Sequence, residues 1–304
     1  MDSVVIAVDV GGTAIKCALV EPGGEVVHAQ RRPTDAGLGP DAVTDKIVTT
    51  VAELAALAQE SGHTPVACGV VTPGVVDEST GVAVFSANLG LRDVPLRELI
   101  TARTGLPTAL GHDVRAGALA EARVGAGVGT RRMLFVALGT GIAGAFALDG
   151  RVDPGAHGGS GEIGHVVIRT HADARPCGCG GRGCLERYAS ASAVAAAYGE
   201  PDVEAAEVVR RAHAGDERAA AVWRETVEAL ADGLLVGVAL FDPQVVVLGG
   251  GLAQAGPLLL APLEKELVRR RTFHQLPALA VAQLGDEAGV RGAALLAMDA
   301  MGAV

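Results

Sequence analysis

One pattern, written twice, constrains this chain most. Residues 4–20 read VVIAVDVGGTAIKCALV: an apolar, β-branched run, a Gly-Gly-Thr turn and a second apolar run, which is a strand, a turn and a strand. Residues 133–150, MLFVALGTGIAGAFALDG, repeat that order around a Gly-Thr-Gly turn. Two such hairpins about 130 residues apart predict a duplicated architecture. Periodicity places helices over 41–59, 96–103 and 113–123 after the first hairpin, and over 191–198, 203–214 and 217–240 after the second. VVVLGGG at 245–251 predicts a buried strand ending in three glycines, followed by a helix over 257–271. A last helix over 287–301 can return to the first half. The expected fold is α/β with two related lobes. The small N-terminal lobe would hold residues 1–114 plus about 287–304, and the large C-terminal lobe residues 115–286.

Glycines stand at three strand ends: Gly11 and Gly12 with Thr13, Gly139 and Gly141 with Thr140, and Gly249, Gly250 and Gly251. Without a Cβ, backbone N–H groups can approach an anion and point at it, a nest suited to phosphate, and the threonine hydroxyls add donors. Asp9 ends the first strand beside such a turn, where a carboxylate can hold Mg²⁺ through water or cap the turn. GTGIAG at 139–144 fits the dinucleotide fingerprint, but that pattern must open a helix, and here it runs into the strand-like AGAFALDG. An NAD enzyme is therefore not expected. Nor is a P-loop ATPase, because no G-x-x-x-x-G-K-[ST] run occurs.

Composition narrows the partners. The chain has 304 residues, 49% of them apolar, enough for a sizeable core in two domains or one large one. A formal net charge of −10 and only 3% aromatics argue against a surface that tracks phosphates or stacks bases, so no nucleic-acid partner is expected. MDSVVIAVDV lacks a basic n-region and a cleavage site. Another apolar run, 234–241, is far short of the roughly 20 residues a membrane span needs. The expectation is a cytoplasmic protein with no membrane partner. There thiols stay reduced, so five cysteines are not a disulfide framework, and Cys17 and Cys68 read as core residues. The other three, Cys177, Cys179 and Cys184, crowd into CGCGGRGC. Cysteines one residue apart bridge poorly, whereas thiolates on a glycine-rich knuckle can converge on a tetrahedral Zn²⁺ with one histidine. His157, His165 and His171 all lie upstream, His165 in a turn that leads into a strand-like run over 166–169, and spacing does not choose among them. Three thiolates leave little room for catalytic water, so the metal would be structural and would pin a loop.

Taken in order, DVGGTAIK, ALGTGIAGA, GEIGH followed by CGCGGRGCLE, and LGGG resemble the ROK family of sugar kinases and sugar-responsive repressors, within the actin-like ATPase superfamily. The resemblance spans nearly the whole chain. It implies a two-lobed actin-like ATPase (ribonuclease H-like) fold, duplicated lobes with a cleft between, and ATP-dependent phosphorylation of a hexose, glucose first, at its 6-hydroxyl. It implies zinc ligands His165, Cys177, Cys179 and Cys184, and sugar contacts from Glu162, His165 and Glu186. GHDVRAGALAEA resembles the family's N-D-x-x-x-x-A-x-x-E stretch and implies that Asp113 is the catalytic base. SANLGL implies a sugar contact from Asn88, and TPGVVD at 72–77 matches another family segment. Asp9, Lys16 and the glycine turns would hold ATP and Mg²⁺. A sugar and ATP are the expected small-molecule partners, and a homodimer or homotetramer the expected assembly.

Two positions depart from the family pattern. His112 replaces the usual asparagine before the catalytic aspartate, which alters one side of the sugar contact. Ile142, Ala143, Gly144 and Ala145 replace a more glycine-rich run after the second turn. Mannose, N-acetylglucosamine, N-acetylmannosamine and fructose stay open as substrates, and so does a catalytically silent sugar-binding regulator. A repressor would need a DNA-binding helix-turn-helix ahead of the kinase-like part, and Val4 already begins the first strand.

Overall fold

In the computed structural model, which describes residues 2–302, the first apolar run becomes β1 (Asp2–Val10), turning back into β2 (Ala14–Val20) and β3 (Val26–Pro33). There follow α1 (Pro40–Glu60), β4 (His63–Thr72), β5 (Val75–Asp77), β6 (Val82–Ser86), β7 (Leu91–Val94), α2 (Leu96–Thr104), β8 (Thr108–His112) and α3 (Asp113–Val124). The second hairpin opens β9 (Arg132–Leu138), β10 (Ile142–Leu148) and β11 (Arg151–Val152). The chain continues through α4 (Glu186–Ala189), α5 (Ala191–Tyr198), α6 (Ala205–His213), α7 (Glu217–Phe241), β12 (Val245–Gly249), α8 (Pro257–Arg270), β13 (Ala278–Val281) and α9 (Ala288–Gly302).

Two five-stranded sheets result, ordered β3-β2-β1-β4-β8 and β11-β10-β9-β12-β13. Strand for strand the topology is the same. In each, an antiparallel hairpin is extended by parallel strands beside its first member. A separate three-stranded sheet, β5-β6-β7, follows β4. The chain divides into two units: Met1–Ala120 with Pro154–Gly159 and Asp286–Val304, and Glu121–Asp153 with Ser160–Gly285.

In the first unit β1 is buried on both faces, which is why it reads as a continuous apolar run and not as an alternation. Val4, Ile6, Val8 and Val10 share a core with Val43, Ile47, Val51 and Leu54 of α1. Val5 and Ala7 face the other way, onto Ala293, Ala294 and Ala297 of α9. Small residues on both sides of that second contact let the helix sit close to the sheet. Each fully buried Val or Ile contributes about 1.5–3 kcal/mol, so this strand anchors the unit.

In the second unit, Leu134, Val136 and Leu138 of β9 pack with Leu230 and Leu234 of α7. That helix starts at a true cap, the Asp216 side chain accepting from the Ala219 N–H at 2.9 Å, and ends at Asp242 in the left-handed region. One expectation fails: no strand forms over 166–169. Only Val167 makes a bridge, to Cys184. The Ile168 and Arg169 N–H groups both donate to the single carbonyl of Gly183, at 2.9 and 3.2 Å, so the backbone is committed to the cysteine knuckle and no ladder can run.

Candidate active site

In the first unit, Asp9 is the last residue but one of β1 and the Gly11–Thr13 turn follows. Thr34, buried at the end of β3, fixes that turn: its hydroxyl donates to the Gly11 carbonyl at 2.6 Å and its N–H to the Thr13 carbonyl at 3.0 Å. The backbone of Gly12 passes Asn88, whose Cβ lies 3.5 Å from where a Gly12 Cβ would stand. Lys16, on β2 opposite Asp9, brings its ammonium 3.8 Å from the Asp9 carboxylate and pairs more closely with Asp286. Burial pushes the Asp9 carboxyl up to about 6; Lys16 opposes the shift, and Asp113 and Asp286 add to it. Asp113 begins α3, where its Oδ1 accepts from the Val114 N–H at 2.7 Å and lies 3.4 Å from His112 Nε2. Asp9, Lys16, Asn88, His112 and Asp113 thus belong to strand ends and turns of one unit.

In the second unit, the Gly139–Gly141 turn closes through Gly139 N–H to the Gly141 carbonyl at 3.0 Å, while the Gly139 carbonyl accepts from Ala191 N–H at the start of α5. Gly250, with φ +80, runs against Leu138, where a Cβ would come within 2.5 Å of the Leu138 carbonyl oxygen. The turn and the Gly249–Gly251 strand end are therefore neighbours. Beside them opens a cavity of about 510 Å³ lined by Gly139, Thr140, Ala191, Ala195, Ala205 and Leu252, among others. Its small apolar walls come from α5 and α6, and sequence reasoning missed them. The signal available was the alanine-rich ASASAVAAAYGEPDVEAA at 189–206.

Glu186 opens α4 and turns back to accept from Ile142 N–H at 2.9 Å. Gly141 makes room for it, since a Cβ there would lie 2.5 Å from Glu186 Oε2. The GEIGH segment lies along β10. Gly144 N–H donates to the Gly161 carbonyl at 2.7 Å, and at Gly161, with φ +96, a Cβ would stand 1.9 Å from the Gly144 oxygen. This is the physical reason the segment needs its glycine, and Gly144 survives where Ala143 and Ala145 flank it. His165 follows, its Nε2 3.8 Å from Glu162 Oε2 and its Nδ1 3.6 Å from Cys177 Sγ.

Cys179 and Cys184 sulfurs are 3.7 Å apart, and the ligand atoms of His165, Cys177, Cys179 and Cys184 all lie within 4.8 Å of one another. A tetrahedral zinc with Zn–S of about 2.3 Å and Zn–N of about 2.0–2.1 Å has S–S edges of about 3.8 Å and S–N edges of about 3.5 Å. The donor set and spacing fit that ion. Burial, with the neighbouring thiols, pushes the Cys184 thiol up to about 12, whereas backbone and thiol hydrogen bonds lower Cys179. A divalent cation would supply the counter-charge for ionising all three. His157 lies in the exposed 154–159 loop and His171 pairs with Asp173, so neither joins this group.

The sequence matches the ROK family over residues 5–300. It is 32% identical to a glucokinase of Streptomyces coelicolor, covering 97% of each chain. It is 33% identical to an N-acetylmannosamine kinase of Citrobacter koseri, covering 96% of this chain and 98% of that one. Among solved structures, a ROK family glucokinase of Streptomyces griseus in complex with glucose and AMPPNP is 31% identical with a TM-score of 0.78, covering 97% of this chain and 99% of that one.

Proposed function

We infer from membership of the ROK family, to which this chain belongs, that it transfers the γ-phosphoryl group of ATP to the 6-hydroxyl of a hexose, with glucose as the preferred sugar. The observation that carries this reading is the likeness to a glucokinase over 97% of both chains. N-acetylmannosamine is the second reading, favoured by an equal likeness to a kinase of that sugar.

In this reading Asp113 accepts the 6-hydroxyl proton as that oxygen attacks the γ-phosphorus. The bond from phosphorus to the bridging oxygen breaks, and ADP leaves. Asn88 and Asp113 in the first unit hold sugar hydroxyls, as do Glu162, His165 and Glu186 in the second; carboxylates accept from vicinal hydroxyls. His112 stands beside Asp113 and adjusts one side of the sugar. The adenosine of ATP occupies the cavity beside Gly139 and Thr140, and N–H groups of Gly11, Gly12, Gly139, Gly141 and Gly249–Gly251 meet phosphates, with Thr13, Thr140 and Lys16 as further donors. Asp9 is the carboxylate that would hold Mg²⁺ through water, and that ion would supply counter-charge to the phosphates. Zn²⁺ on His165, Cys177, Cys179 and Cys184 is structural. His165 Nδ1, the ring nitrogen 3.6 Å from Cys177 Sγ, would be the ligand, which would leave Nε2 as a rigid contact for sugar.

Reduced thiols in the knuckle fit a cytoplasmic protein, and no helix among the described residues is long and apolar enough to cross a membrane. A homodimer or homotetramer is the expected assembly; a monomer mass in sedimentation equilibrium would reject it. The test of function is ADP release with Mg-ATP across hexoses and amino sugars, beside Asp113→Ala. Glucose-dependent turnover that the substitution removes supports the reading. Turnover only with N-acetylmannosamine moves the assignment to the second sugar, and none on any sugar leaves a sugar-binding regulator.

A further inference from the structure

We propose that Arg115 is a positioning residue for sugar binding, tying the head of the helix that carries Asp113 to the segment leading into Glu162 and His165. The proposal rests on the kinase reading above.

Arg115 stands two residues after Asp113, in the first turn of α3. A cation at that end opposes the helix dipole, which favours anions there, so helix stability does not explain its place. Its side chain is buried, and a buried cation must be paired. Arg115 Nε donates to Glu78 Oε1 at 2.8 Å and Nη2 lies 2.7 Å from the same oxygen, while Nη1 donates to the Gly158 carbonyl at 2.9 Å. One guanidinium therefore holds two separate segments, a task for a planar fork that a lysine ammonium cannot reproduce.

Both segments are themselves well placed to transmit the hold. Glu78 sits in the β5–β6 turn, which Arg97 locks by donating to the carbonyls of Ser79 at 2.7 Å, Glu78 at 2.5 Å and Thr108 at 3.1 Å. The Asp77 carboxylate adds bonds from the N–H groups of Ser79 and Thr80, at 2.9 and 3.2 Å. Glu78 is thus a fixed anchor. On the other side, a Cβ at Gly158 would stand 2.9 Å from the Val76 carbonyl oxygen, so the 154–159 loop lies directly on β5. Those residues group with the first unit although the chain on either side belongs to the second. Glu162 comes four residues after Gly158 and His165 seven. Losing the Arg115 bond frees the approach to both, and glucose binding then has to order a segment that the native protein holds already ordered.

Arg115→Met is expected to raise the KM for glucose about tenfold, with kcat and the KM for ATP within twofold of wild type. Amide exchange should accelerate at 155–159 and stay unchanged in β1. Arg115→Lys should fall between, and Glu78→Gln should raise the same KM less than additively with Arg115→Met. A merely structural arginine would instead lower the melting temperature and move both KM values and kcat together. An unchanged glucose KM with unchanged exchange at 155–159 overturns the proposal. Should Arg115→Met not fold, Glu78→Gln carries the same two readouts. If the wild-type protein phosphorylates no glucose, the kinase reading fails, and exchange at 155–159 still decides whether Arg115 holds that loop.

Discussion

Asp9 and Asp113 illustrate how much a single residue's surroundings decide. Burial raises the Asp9 carboxyl from its ordinary 3.8 to about 6, against the pull of Lys16. The folded state then holds its proton longer than the unfolded state, so this group's contribution to stability falls as pH rises from about 4 to 6 and is level above. Asp9→Asn should therefore stabilise the unliganded protein at pH 7.5 by up to ~3 kcal/mol, with the gain vanishing below pH 4, while abolishing turnover. Urea unfolding at several pH values checks this; an equal gain at pH 3.5 and 7.5 would refute it. Asp113→Asn should lower kcat by roughly 10²–10⁴ while leaving glucose affinity near wild type, read by calorimetry beside the ADP assay. Both aspartates stand out in the sequence, Asp9 near a strand end before a glycine turn and Asp113 through its resemblance to a family motif, because both signals are local along the chain. Thr34, which fixes the Gly11–Thr13 turn from 21 residues beyond Thr13, was not.

Among elements, the cysteine knuckle and the Gly-Thr-Gly turn make the sharpest predictions. Stripping zinc with a chelator should release the 177–184 loop, which few apolar contacts hold, and weaken glucose binding at least tenfold while the two sheets keep their circular dichroism. Wild-type turnover in protein shown to be metal-free would sink this. Gly141→Ala should push Glu186 off its bond to Ile142, because a Cβ stands 2.5 Å from that carboxylate; the KM for glucose should rise about tenfold, a loss of ~1.4 kcal/mol, and an unchanged KM would disprove the role given to Glu186. Element types and most boundaries follow from period and caps, as α5 at Ala191–Tyr198 and α7 from Glu217 show. The strand expected over 166–169 failed because a knuckle distant from any ladder took its N–H groups, and apolar pattern carries no record of that competition.

Across the whole molecule, the two sheets share one strand order, and the repeated hairpins had already implied this, since each hairpin seeds its own sheet. The first unit is nevertheless built from three stretches of chain, and its C-terminal stretch is structural. A chain ending at Leu284 should lose the Ala293, Ala294 and Ala297 face that covers Val5, Ala7 and Val71, and should fail to melt cooperatively or stay in solution; a native-like melt would contradict the packing described. What the sequence by itself determined are the features carried by neighbours along the chain: strands and helices by their periods, phosphate-ready glycine turns, and three thiols on one knuckle. The tertiary structure brought His165, which the family motif implied but spacing could not choose over His157 and His171, to those thiols; it alone walled a cavity with α5 and α6 and set Arg115 between Glu78 and Gly158. Each of these joins residues remote in sequence, and only the burial of a shared core brings such residues within bonding distance.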